Sequence, residues 1–111
     1  MRAASNSDIP LNADHLQVST DILRALAHPL RLHMIRTLLD QQPLNVHTLY
    51  TLLNIEQSVA SQHLRILRNA GLVYTQRKGK YVEYLVQSEQ LNKALSVAAR
   101  LLLPPSDSAE G

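Results

Sequence analysis

The chain contains no cysteine, no tryptophan and no phenylalanine, and only three of its 111 residues are glycine. Without cysteine there is no disulfide framework, no thiolate metal site and no thiol redox switch. Tyrosine is the only aromatic residue and occurs four times, so the core has to be built from Leu, Ile, Val and Ala. The glycines Gly71, Gly79 and Gly111 are too dispersed to form a phosphate-cradling loop. No nucleophile, base and orienting group fall into a catalytic set, and the expectation is a protein that is not an enzyme and carries no cofactor. No stretch approaches the roughly 20 apolar residues of a membrane-spanning helix, and the opening MRAASNSDIP has no apolar signal run. A single soluble, cytoplasmic domain with no membrane partner is expected.

Acidic residues are missing from one interval in particular. The net charge of +2 is small, and residues 1–29 and 87–111 each carry −1. Residues 30–86 carry +4, with Arg31, Arg36, Arg65, Arg68, Arg77, Lys78 and Lys80 set against Asp40, Glu56 and Glu83. Between Glu56 and Glu83 there are five bases and no acid. An acid-free basic stretch is the electrostatic footprint that a polyanion would meet.

Residues 1–11 and 104–111 read as flexible tails around one domain over 12–103, the second tail set off by Pro104. Asn12 and Asp14 are candidate caps for a helix running to about Ala27, which His28-Pro29 breaks because a residue before proline is driven out of the α region. A second helix from about Leu30 to Leu39 has Leu32, Ile35, Leu38 and Leu39 at helical spacing, and Asp40-Gln41-Gln42-Pro43 turns the chain. A short third helix, Val46 to Leu53, turns Val46, Leu49, Leu52 and Leu53 inward. It is separated by Asn54-Ile55-Glu56 from a fourth, Gln57 to Ala70, which Gly71 stops. The period then changes. LVYTQR and YVEYLV are short β-type runs joined by Arg77-Lys78-Gly79-Lys80, and a last helix from about Ser88 to Leu102 bears a Leu/Ala stripe. The fold class is mainly α with a small β-hairpin, in the order of four helices, hairpin and helix.

The fourth helix concentrates the functional signal. At about 100° per residue, Ser58, Ser61, Gln62, Arg65, Arg68 and Asn69 share one arc, while Val59, Ala60, His63, Leu64, Ile66, Leu67 and Ala70 share the opposite one. An ordinary solvated face mixes Glu with Lys for pairing four residues apart. A face of short hydroxyl and amide groups followed by guanidinium groups instead suits base edges and phosphates. The short preceding helix and the three-residue connection have the spacing of a helix-turn-helix. Arg77, Lys78 and Lys80, flanked by Tyr74, Tyr81 and Tyr84, then crowd positive charge onto a narrow tip. Such a tip gains little unless a polyanion is present, although it also serves to blunt an edge strand.

The segments LRALAHPLRLHMIRTLL and SVASQHLRILRNAGLVYTQRKGKYVEYLV, in this order, resemble the ArsR/SmtB family of bacterial winged-helix repressors. The resemblance covers roughly residues 16–102. Its most specific parts are Ala27-His28-Pro29-Leu30-Arg31, the run from Ser61 to Arg68, and Ala70-Gly71-Leu72-Val73. It implies a winged helix-turn-helix homodimer, held by its first and last helices, that binds an operator of dyad symmetry and represses transcription until an effector binds. The familiar effector sites are not matched. Asn45 and His47 stand where many members have a Cys-x-Cys pair. The last helix has no His or Asp, with Glu89 as its only acid, and there is no cysteine for a persulfide or oxidant switch. No metal site is therefore expected, and an unknown small-molecule effector stays open alongside a metal at an unusual histidine site. Glu56 stands where members often have Ser; it suits the positive end of the helix dipole but would repel a nearby phosphate.

Gln57, Ser58, Ser61 and Gln62 are expected to meet base edges of double-stranded DNA. Arg65 and Arg68 are expected at phosphate or guanine, with His63 grouped beside them although its place on the apolar arc favours partial burial with a hydrogen-bonded partner. Arg77, Lys78, Lys80 and Tyr81 form the wing's backbone contacts. Leu16, Ile22 and Leu23 of the first helix and Leu91, Leu95, Ala98 and Leu102 of the last form the dimer interface. The alternative is a winged helix whose polar face meets a partner protein without specific DNA binding.

Overall fold

The computed structural model describes residues 13–102, with side chains from residue 16 onward. The two expected tails and the cap Asn12 lie outside the described residues, as does the side chain of Asp14. In chain order the elements are α1 (Ala13–Leu26), α2 (Pro29–Gln41), β1 (Leu44–Asn45), α3 (Val46–Leu53), α4 (Gln57–Asn69), β2 (Val73–Lys78), β3 (Tyr81–Val86) and α5 (Ser88–Leu102).

The break between α1 and α2 has a local cause. His28, immediately before Pro29, takes the extended conformation that proline demands, and its Nδ1 accepts a hydrogen bond from the Leu30 N–H at 3.1 Å. Histidine thus caps α2, with Pro29 in the first turn where a missing N–H costs nothing. At the other end the Gln42 side chain accepts from the Val86 N–H at 2.7 Å and ties α2 to the sheet.

That sheet has three strands rather than a two-stranded hairpin. Its order is β1-β3-β2, all antiparallel, with Leu44 opposite Tyr84 and Asn45 opposite Glu83. The added strand is two residues long, too short to show a period of two, and its partner lies about forty residues away. β2 and β3 pair from Val73–Val86 to Lys78–Tyr81, leaving Gly79-Lys80 as a two-residue turn. Gly79 has a φ of 63°, which glycine adopts without a steric penalty in tight hairpins.

The core gathers Ile22 and Leu26 from α1, Met34, Ile35 and Leu38 from α2, Leu49 from α3, and Ala60, Leu64 and Leu67 from α4. Leu72, Val73, Val86, Leu91 and Ala94 close it. Burying each large side chain contributes roughly 1.5–3 kcal/mol. The helices are narrower in their buried faces than the leucine pattern suggests: Leu32 and Leu39 of α2 and Leu52 of α3 are exposed. The stripe on α5 also divides. Leu91, Ala94 and Val97 turn inward, whereas Leu95, Leu101 and Leu102 face out. α1 packs directly against α5, bringing the first and last helices side by side.

Candidate nucleic-acid interface

The hydrogen bonds of the turn before α4 are all backbone to backbone. α3 starts with the Asn45 side chain accepting from the Thr48 N–H at 2.8 Å. It stops where Asn54 adopts a left-handed φ of 56°, a region that asparagine tolerates better than most residues. There the Ile55 N–H donates to the Tyr50 carbonyl at 3.1 Å and the Asn54 N–H to Thr51 at 3.2 Å. Ile55 packs against the core and so fixes the angle between the two helices. Glu56 occupies the cap position of α4 but makes no side-chain capping bond. Glutamate is one methylene longer than the aspartate that caps well.

At the far end the same backbone device recurs with glycine. Gly71, at a φ of 78°, follows the helix; its N–H donates to Arg68 and the Leu72 N–H to Leu67, both at 2.9 Å. This αL stop carries the chain straight into β2, so the end of α4 and the root of the hairpin are one rigid corner.

Between these ends, α4 buries Ala60, Leu64 and Leu67 and exposes Gln57, Ser58, Gln62, Arg65, Arg68 and Asn69, with Ser61 half-buried at the margin. At the hairpin tip Arg77, Lys78, Lys80 and Tyr81 are all exposed, and the Lys80 ammonium lies 5.6 Å from the centre of the Tyr81 ring. Among the described residues, Arg24, Arg36 and Lys93 pair with Asp21, Asp40 and Glu89 one helical turn away. Arg65, Arg68, Arg77, Lys78 and Lys80 have no carboxylate of the described residues within ion-pair distance. The nearest acid in the hairpin, Glu83, accepts from the Gln76 side chain across the strands at 3.2 Å.

His63 does not join this outer face. Its ring is turned to the inner side, where Arg31 Nη1 lies 3.2 Å from its Nδ1 and the His28 ring lies 4.6 Å away, centroid to centroid. Its place on the apolar arc accounts for this: an imidazole there needs a partner, and the base one turn into α2 supplies it. Arg31 also donates through Nε to the Ala25 carbonyl, bridging the end of α1 to α4. Because a guanidinium only donates, His63 Nδ1 is the acceptor and the ring is neutral. Burial first, then the neighbouring His28 and Arg31 charges, lowers the His63 pKa from the ordinary imidazole value. Sequence reasoning left Arg31 without a role, since the 32-residue separation hides the contact; the signal that could have found it is the unpartnered histidine on an apolar arc.

The candidates for a dimer face also separate. Ile22 is 2% exposed and Leu91 5% exposed, so both are spent inside the chain's own core and present no surface to a partner. Their burial follows from the packing of α1 on α5, which takes up the inner half of each stripe. Leu16, Leu23 and Ala98 are half-buried, while Leu95 at 48% and Leu102 at 81% are open to solvent, with Val18 and Leu101 exposed alongside. At the positions weighed for effector ligands, Asn45 is occupied as a helix cap and the His47 ring packs edge-on against Tyr50, 5.2 Å between centres. Among the described residues no three His, Asp or Glu side chains converge on a point, and no helix is long and apolar enough to cross a membrane.

Known proteins share this arrangement. The family profile described as bacterial regulatory protein, arsR family, matches residues 28–75, which span α2 to the first strand of the hairpin. The transcriptional repressor SmtB of Mycobacterium tuberculosis is 38% identical over 76 residues, covering 68% of this chain; the chain spans only 56% of that repressor's length. The transcriptional regulator NmtR of the same organism is 38% identical over 80% of this chain and 73% of its own. The solved structure of HlyU from Vibrio cholerae matches with a TM-score of 0.68 at 31% identity, covering 84% of this chain and all of that one; HlyU is named a transcriptional activator. These relatives are named as regulators and not as enzymes. A winged helix-turn-helix with this order of elements, together with this degree of identity, places the chain in the ArsR family of bacterial regulatory proteins.

Proposed function

We propose that the chain is a cytoplasmic transcriptional regulator that binds duplex DNA sequence-specifically as a homodimer, most simply as a repressor of an operator with dyad symmetry. The observation that carries this reading is the set of five exposed bases on α4 and the hairpin that have no carboxylate partner among the described residues, adjoining the exposed amides and hydroxyl at the start of α4. α4 lies in the major groove, with Gln57, Ser58, Ser61 and Gln62 at base edges and Arg65 and Arg68 at guanine or phosphate. The hairpin is the wing, and Arg77, Lys78, Lys80 and Tyr81 grip the neighbouring backbone. Val18, Leu95, Leu101 and Leu102, with Leu16, Leu23 and Ala98 at their margin, form the two-fold face. It sets two copies of α4 about one turn of DNA apart. The effector is a small organic molecule, a metal at an unusual histidine site, or none, since the cysteine pair and the last-helix ligands of familiar members have no counterpart here.

The experiment is selection of duplexes from a random-sequence pool, followed by a gel shift of the selected duplex against a scrambled one. Binding of the selected duplex at least about a hundredfold tighter supports the reading. Equal binding of both, together with capture of a partner protein through the polar face, supports the interaction-module alternative.

A further inference from the structure

We propose that Arg31, His63 and His28 form a proton-sensitive seat for α4, so that sequence-specific DNA binding weakens as the medium becomes acidic. This rests on the DNA-binding reading above and adds to it three positioning residues, none of which touches DNA.

The geometry is of two imidazoles used as acceptors around a cation. His63 Nδ1 accepts from Arg31 at 3.2 Å, and His28 Nδ1 accepts from the Leu30 N–H at 3.1 Å. The Nδ1 lone pair of His63 is occupied by a guanidinium N–H, so that ring is neutral in this arrangement, and His28 is held beside it by its own bond to the backbone. A proton on His63 Nδ1 would point at an N–H of Arg31, and the contact has to open. That event sets a second positive charge against a guanidinium that cannot lose its own.

Among the described residues no carboxylate is within hydrogen-bond or ion-pair distance of His63 to absorb that charge. The groups facing His63 from α2 and its cap are Arg31 and His28. α1 brings Asp21 and Arg24 to the groove of about 460 Å³ that Arg31 borders, and these two pair with each other at 3.4 Å. α3 brings His47, packed on its own Tyr50. β2 ends in the exposed Arg77 and Lys78. The lowered pKa of His63 agrees with this inventory. Its sign follows: the contact stabilises the seat fully above the ordinary histidine value of about 6.5, and that stabilisation disappears as pH falls through the lower value of the folded protein.

The direction opposes the usual one. A phosphate backbone favours protonation of nearby imidazoles, so a histidine on the DNA face strengthens binding in acid, whereas this one weakens it. Asparagine carries an acceptor at the position of Nδ1 without titrating, so His63→Asn keeps the bond and removes the proton site.

The test measures affinity for a duplex selected at about pH 8, and for a scrambled duplex, from there down to about pH 5.5 at constant ionic strength, a range that brackets the ordinary histidine value. The wild-type protein is expected to lose specific affinity on the order of fivefold or more relative to His63→Asn, at the low end of site-to-site coupling. The scrambled duplex should show no such difference. Parallel pH profiles for wild type and His63→Asn would overturn the proposal. The protein alone supplies a second reading: the unfolding midpoint of wild type should fall more steeply with acid than that of His63→Asn, and equal slopes would count against the seat. If selection yields no preferred duplex, the DNA reading fails, and the unfolding comparison still decides whether the seat exists.

Discussion

The two outer faces of this small molecule treat charge and apolar surface in opposite ways. On α4 and the hairpin, the leucines turn inward while five bases stand exposed without acidic partners among the described residues. On α1 and α5, Arg24 and Lys93 pair with acids one turn away, while Val18, Leu95, Leu101 and Leu102 stand exposed. Exposed ion pairs of this kind contribute little to stability, so pairing is better understood as neutralising a face than as holding the fold. Among the described residues the three such pairs lie on α1, α2 and α5, apart from the bases of α4 and the hairpin. Under the proposed function, the unpaired bases mark the side for a polyanion and the apolar face of α1 and α5 the side for association.

This contrast can be broken in graded steps. The largest effect is expected at the wall the two faces share: Leu64→Ala, at a fully buried position behind α4, should cost about 2–5 kcal/mol of unfolding free energy by denaturant titration. On the association face, Leu95→Glu should remove roughly 2 kcal/mol or more of dimer affinity, and sedimentation should show monomers whose isolated fold is intact by circular dichroism. On the groove face, Gln62→Ala should weaken the selected duplex by about 1–3 kcal/mol and leave a scrambled duplex almost unchanged. Equal losses on both duplexes would remove Gln62 from base readout. The smallest effect belongs to the wing, where Lys78→Ala should weaken every sequence alike and reduce the salt slope by about one unit for each phosphate that is no longer neutralised.

How far these faces were legible in the sequence depends on the range of the interaction. The bend at His28-Pro29, the three-residue turn before α4 and the Gly71 stop are local events, and residue chemistry announces each of them. The hairpin is local too, since Gly79 and the flanking β-type runs lie within one stretch. β1 is not, because two residues carry no period and are made a strand only by Tyr84 and Glu83. The pairing of Arg31 with His63 escaped for the same reason of distance. The divided stripe on α5 is a different limit: periodicity shows that Leu91 and Leu95 are both apolar, but only the packing of α1 decides that the first is covered and the second is not. Glu56 shows a third, in that its charge suits the helix start while its length prevents the capping bond.

That the unpaired bases of α4 and the hairpin meet phosphates is the central claim, and the dependence of affinity on salt tests it most directly. For the selected duplex, a dimer using most of Arg65, Arg68, Arg77, Lys78 and Lys80 in both copies should give a slope of log affinity against log salt between about −5 and −9. The slope should become shallower when Arg77 and Lys78 are both replaced by alanine. A slope near zero, or one that this double replacement leaves unchanged, would contradict the account.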